Sequence, residues 1–403
     1  MLSLRDKLKA AAGPAKNAPV KSAPVDCMVK ETRIPPEMFS LPPVLSGDCL
    51  GVMQGKAYGD CRREDVCFLD TETTGLSHGA GTVAFLVGIG FFDGEGFLVR
   101  QYLMRDYDEE AFLLSHVSKD VQRSALLCTF NGATFDLPML EARFTMNRMR
   151  EQWTPKPHVD LLPASRRVWK LRLKKCNLTS LEVAVLGLER VDDLPGALVP
   201  ERYFSFLKTK DFSLLQDILE HNAQDIISLA HILDRLLRLH DAPLLAQEPE
   251  DVFSLGRVME KRGRHENARM CYRAADKGSM SILARSRMAD SLRRDGDWDG
   301  AANVYARMIR DRQGGVTPLI AMAKICEHKK RNIPAAIEYT RKAILIAAEQ
   351  PDSDMAALQK RYQRLMLKAR GKEQHYGIDG WVQGQESADG APEGADGRSP
   401  RRL

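Results

Sequence analysis

At 403 residues, with 44% hydrophobic and 28% charged side chains, the chain is long enough for two domains and ordinary enough in composition to bury sizeable cores. Its net charge of +5 is too mild to argue for nucleic acid by itself. No charged-then-apolar leader opens the sequence, no apolar run approaches the roughly 18 residues of a membrane span, and the eight cysteines show no paired spacing. These features predict a cytoplasmic protein of reduced thiols, with no membrane partner and no zinc framework.

In chain order, residues 1–30 are rich in Ala, Pro and Lys and predict a flexible basic arm, opened by a short helix over LRDKLKAAA. Strands are expected near residues 66–70, 83–92 and 97–104, then a helix from Glu109, a strand at 125–130 and a helix from Leu137. HVDLL adds a short strand, and helices follow at 165–173, 178–186 and 214–240. Three leading strands followed by strand–helix alternation predict an α/β domain over residues 31–240, a mixed central sheet flanked by helices. A linker is expected at residues 241–252.

The first strand ends in FLDTETTGL. Asp70 and Glu72 stand two apart, and alternate residues on a strand share a face, so both acids can aim at one point. FNGATFD then supplies Asp136, and HNAQD supplies His221 and Asp225 four residues apart on one helix face. Each has a bland reading alone: a strand end, a helix N-cap before Pro138, a solvated helical pair. Together, four carboxylates would repel one another without a cation, and hard divalent ions prefer such oxygen ligands. Two ions about 4 Å apart stabilise the attacking and leaving oxygens of a phosphodiester displacement. An imidazole with an ordinary pKa near 6.5 suits proton work on the attacking water. GAGTVA, from Gly79, fits a loose dinucleotide-binding pattern but runs into the strand-like VAFLVGIGFF rather than a helix, so the cofactor reading is rejected.

FLDTETTGL, FNGATFD and HNAQD resemble the three motifs of the DEDD 3′→5′ exonuclease superfamily. HVDLLPASRRVWKLRLKKCNLTSLE and HNAQDIISLA resemble more specifically its YprB-type ribonuclease-H-like domain, over roughly residues 60–240. The resemblance implies a ribonuclease-H-like fold and a metal-dependent 3′→5′ exonuclease that uses two ions, Mg²⁺ or Mn²⁺. Asp70, Glu72, Asp136 and Asp225 would be the metal ligands, with Asp70 bridging and His221 the base. Thr71, Thr74, Leu76, Asn131 and Phe135 would contact the terminal nucleotide of a single-stranded 3′ end, RNA or DNA. One departure is visible: three residues separate His221 from Asp225, where the histidine branch has four. Two other readings keep the same fold, a nucleic-acid-binding adaptor with weak or no catalysis and a structure-specific endonuclease.

RRVWKLRLKK, Arg166 to Lys175, holds six basic residues and no acid around Trp169, and predicts sequence-independent affinity for nucleic acid by phosphate attraction and stacking. Further on, Ala268 and Tyr272 recur as Ala301 and Tyr305 and as Ala335 and Tyr339, at steps of 33 and 34 residues, each copy preceded by a small residue at Gly256, Ala289 or Ala323. Ala275 has no small counterpart in the third copy, where Lys342 stands. The pattern resembles tetratricopeptide repeats, and implies an all-α helical domain over residues 253–370 that docks a protein partner. Residues 383–403 have the composition of a disordered tail.

Overall fold

The computed structural model describes residues 26–75, 81–190, 194–349 and 354–382, the last twelve by backbone only. The expected N-terminal helix, the C-terminal tail and Leu76 lie outside the described residues. The described residues fall into two compact units that divide between Met280 and Ser281.

The first unit is built on a six-stranded sheet. In chain order its strands are β1 (Met28–Ile34), β4 (Val66–Thr73), β5 (Ala84–Asp93), β6 (Gly96–Leu103), β7 (Leu126–Thr129) and β8 (His158–Asp160); β2 (Val44–Leu45) and β3 (Cys61–Arg62) form a separate small pair. The spatial order β1-β6-β5-β4-β7-β8 is antiparallel from β1 to β4 and parallel from β4 to β8. The sheet is mixed, as expected. Its edge strand β1 begins within the span read as a flexible arm, where the alternation MVKETRI pairs residue for residue with β6.

Helices cover both faces: α1 (Gly47–Gln54), α2 (Glu110–Arg123), α3 (Asp136–Met146), α4 (Leu161–Trp169), α5 (Leu178–Leu181, continued by a π-helical turn Glu182–Leu186), α6 (Val199–Thr209) and α7 (Ser213–Asp241). The α7 stripe of Leu215, Ile218, Leu219, Ile226, Leu229, Leu233 and Leu236 recurs every three or four residues and is buried along the sheet. Its close approach depends on two glycines of β5. A Cβ on Gly88 would stand 2.2 Å from Asn222 Oδ1, and one on Gly90 would stand 2.4 Å from Ile226 Cγ2. The span read as a linker is partly structured, with a turn at Pro243–Leu245 and the start of α8 (Pro249–Lys261); α9 (His265–Ala274) pairs with α8, Tyr272 packing against Gly256.

The second unit is all helical: α10 (Ser281–Arg294), α11 (Trp298–Arg310), α12 (Thr317–His328), α13 (Ile333–Ala347) and α14 (Met355–Val382). The small residues singled out in the sequence, Ala289, Ala301 and Ala323, are fully buried, and Tyr305 is buried with Ala289 and Ala301. All eight cysteines are free thiols. Among the described residues no helix is long and apolar enough to cross a membrane.

Candidate active site

Four separate stretches of chain meet at the C-terminal ends of the parallel strands. β4 outruns its partner β7, which pairs with it only as far as Phe68, so Asp70 and Glu72 lie beyond the end of the β7 ladder. Ligand sites of open α/β sheets characteristically lie at such strand ends. β7 leads through the loop at 130–135 into α3, whose first residue is Asp136. That loop hangs on Asp160, whose carboxylate accepts from the backbone N–H groups of Asn131, Ala133 and Leu162 at 2.8, 3.2 and 3.0 Å. Asn131 takes a left-handed backbone conformation, φ 68°, which asparagine tolerates better than most residues.

α7 brings the rest. Asn222, fully buried, accepts from Gln101 Nε2 at 3.0 Å and donates to Asp70 Oδ2 at 3.0 Å, fixing the first acid. Sequence reasoning passed over Asn222, although it sits inside HNAQD; the signal was a glycine at β5 position 88, which only a tightly packed side chain from another element explains. Asp136 is buried and accepts from the Thr71 hydroxyl. His221 and Asp225 share a helix face as the spacing predicts, with Nε2 3.6 Å from Asp225 Oδ2 and 3.9 Å from Glu72 Oε1.

A cation also reaches this cluster, and no motif announces it. Arg190 donates from Nε and Nη2 to Glu182 at 2.6 Å each, from Nη2 to Asp225, and from Nη1 to His221 Nδ1 at 3.1 Å. Glu182 is wholly buried and also accepts from the Ser228 hydroxyl. Arg190 stands 31 residues before His221 and 35 before Asp225, in no familiar pattern, so only the folded chain reveals the contact.

The electrostatics are those of crowded, poorly compensated anions. Burial, then the charges of Asp225, Asp136 and Glu72, holds the Asp70 carboxyl well above its usual range. Burial pushes Glu72 up to about 8 despite the opposing pull of His221, and Asp136 up to about 6 despite the Thr71 hydroxyl. Asp225 is also raised by burial, with Arg190 and His221 pulling the other way. An all-oxygen donor set that resists ionisation until positive charge arrives fits hard divalent cations. No three of these side chains hold ligand atoms within 4.8 Å of one another; among the described residues only Asp26, Cys27 and His116 do, and there the Asp26–His116 hydrogen bond of 3.1 Å accounts for the approach. Asn222 holds Asp70 and Arg190 holds Asp225 in these positions.

The expected substrate contacts divide. Thr74 closes the turn after β4 by accepting from Val83 N at 3.0 Å, and Phe135 is half-buried at the head of α3. Asn131 is exposed beside it, its side-chain Oδ1 accepting from Thr134 at 2.9 Å. Thr71 is buried, its hydroxyl committed to Asp136. The basic stretch requires a correction. Trp169 is fully buried in the core and offers no stacking face, Arg167 donates to the Met53 carbonyl, and Arg172 is paired with Asp251. The apolar positions of α4 recur at helical spacing, which turns Trp169 inward and Arg166 outward; Lys170, Lys174 and Lys175, beyond the helix, are also exposed.

Residues 67–237 match RNase_H_2, of the RNase_H superfamily. The chain is 29% identical over 316 residues to "Uncharacterized protein YprB" of Bacillus subtilis (strain 168), an alignment covering 76% of this chain and 75% of that protein. The family B DNA polymerase of Pyrobaculum calidifontis aligns with a TM-score of 0.35 at 14% identity, over 49% of this chain and 29% of the polymerase, a likeness too slight to bear on function. The mixed sheet and its flanking helices are an RNase H-like fold, and the superfamily match points to nuclease chemistry.

Proposed function

We propose that the chain is a metal-dependent 3′→5′ exonuclease, which hydrolyses phosphodiester bonds of single-stranded nucleic acid with two divalent cations. The observation that carries this reading is the convergence of Asp70, Glu72, Asp136 and Asp225 at one end of the parallel strands, each with its carboxyl held above the ordinary range. These four would hold the cations, Mg²⁺ or Mn²⁺. Bound there, the ions supply Lewis-acid stabilisation of charge on the attacking and leaving oxygens.

The remaining work falls to the chain itself. Asn222 keeps Asp70 in place, Thr71 does the same for Asp136, and His221 faces the space between Glu72 and Asp225 where the attacking water would stand. Asn131 and Phe135, on the loop anchored by Asp160, border the second acid and would meet the terminal nucleotide, as would Thr74 in the turn after β4. Arg166, Lys170, Lys174 and Lys175 form an exposed basic cluster suited to phosphates along the strand. We read the pairs α8–α9, α10–α11 and α12–α13 as tetratricopeptide-like units that dock a protein partner.

A second reading, an adaptor that binds nucleic acid without cutting it, draws on one observation: Arg190 pairs with Asp225, one of the four acids a metal would need. The test compares linear and circular nucleic acid with Mg²⁺ or Mn²⁺. The expected outcome is metal-dependent loss of the linear form while the circle survives. Cleavage that persists in chelator, or that Asp225→Ala leaves unchanged, overturns the proposal; binding without cutting selects the adaptor, and nicked circles select an endonuclease.

A further inference from the structure

We infer that Arg190, held rigid by Glu182, is a positioning residue that orients Asp225 and fixes His221 with its proton on Nε2, so that the imidazole meets the reacting groups as a hydrogen-bond donor. The inference rests on the site being the nuclease centre proposed above, and gives its histidine a donor's role in place of the base that the resemblance implied.

The argument follows from what each atom can do. A guanidinium only donates, so the His221 Nδ1 that Arg190 Nη1 approaches at 3.1 Å must be an acceptor. A neutral imidazole with a lone pair on Nδ1 carries its hydrogen on Nε2. Nε2 is the nitrogen that faces Glu72 and Asp225, at 3.9 and 3.6 Å. The nitrogen turned toward the acids thus presents an N–H, which suits an oxygen of the scissile phosphate or of the attacking water and cannot take a proton from either.

Arg190 is built to stay. Its Nε and Nη2 fork onto both oxygens of Glu182 at 2.6 Å, and both side chains are almost wholly removed from solvent, 7% and 0% exposed. Glu182 is held in turn by Ser228, one helical turn beyond Asp225 on α7. A bidentate buried pair of this kind is geometrically exact in a way a lysine contact is not. With Glu182 balancing its charge, the guanidinium reaches Asp225 from Nη2 and His221 from Nη1 and so directs the two together.

The test is a two-bond ¹H–¹⁵N correlation spectrum of the histidines in the full chain, metal-free and at a pH where His221 is neutral, its signals assigned by their loss in His221→Gln. The expected wild-type pattern is that of the Nε2–H tautomer. In the pair Glu182→Gln with Arg190→Gln, which leaves neither charge buried alone, that preference should give way to a mixture or to Nδ1–H. An Nδ1–H pattern in the wild type, or an unchanged pattern in the double variant, overturns the inference. If the double variant does not fold, the wild-type spectrum still decides, and Arg190→Lys serves as the second variant: kcat should fall at least about tenfold with KM held within about twofold, as expected of lost positioning. His221→Gln, which keeps an N–H near the place of Nε2, should retain at least about tenfold more activity than His221→Ala; equal loss in both rules out the donor role. The spectrum needs no cleavage, so absence of nuclease activity and failure of this inference are read separately.

Discussion

Glu72→Gln should make the metal-free protein more stable at neutral pH while disabling the site. Burial raises the Glu72 carboxyl from 4.5 to about 8, so between those limits the folded state holds a proton that the unfolded chain has released. A group raised on folding contributes its stability fully below the unfolded value and loses it as pH climbs through the folded one. At about 1.4 kcal/mol per pH unit, forcing this carboxyl through the window costs about 4 kcal/mol at roughly pH 7.5 and under about 1 kcal/mol at roughly pH 5. A neutral amide of the same shape carries no such cost. For a unit of this size about 2–4 °C accompany each kcal/mol, so the variant should melt roughly 8–16 °C higher at about pH 7.5 and within a few degrees of wild type at about pH 5. Thermal unfolding followed by circular dichroism in chelator measures both. Added Mg²⁺ or Mn²⁺ should raise the wild-type melting temperature at the higher pH and raise the variant's far less. A variant less stable than wild type at about pH 7.5, or equally stabilised at both pH values, would refute the reasoning.

Two further perturbations test the frame and the approach of substrate. Gly88→Ala places a Cβ 2.2 Å from Asn222 Oδ1, and Asn222 cannot turn aside without losing Gln101 and Asp70. It should cost about 2 kcal/mol or more by denaturant unfolding and weaken Mn²⁺ binding in calorimetry, whereas Gly94→Ala, with open space around it, should do neither. Replacing Lys170, Lys174 and Lys175 by Ala should weaken single-stranded nucleic-acid binding about tenfold and flatten its dependence on log salt by about 1–2, measured by fluorescence anisotropy. The same substitutions should leave metal affinity as it is.

The strand and helix placements were legible because the two periodicities differ so sharply. The run VCFLD and the long apolar stripe of α7 announce themselves, and the Asp-x-Glu pair on one and the His/Asp spacing on the other follow from strand and helix geometry alone. The edge strand β1 was hidden because its alternation, MVKETRI, is weakly apolar and gains its stability from pairing with β6, a contact about 70 residues away. Trp169 misled for the opposite reason: basic neighbours made a surface segment of it, when helical spacing turns the indole inward and only some of the cations outward. Glu182 and Arg190 carry no motif, and a buried ion pair between a helix turn and a following loop has no local signature. Asn222 was half legible, for glycines at positions 88 and 90 of a central strand mark a close helix crossing, and Asn222 is the side chain packed against the first of them.

The most direct measurement of the central claim follows 5′-labelled single-stranded RNA and DNA with time, in Mg²⁺ or Mn²⁺, for the wild-type chain and Asp70→Ala side by side. The account predicts a metal-dependent ladder that shortens from the 3′ end on at least one polymer and vanishes in a variant that still folds. A ladder of the same rate from Asp70→Ala, or one that persists in chelator, would contradict it.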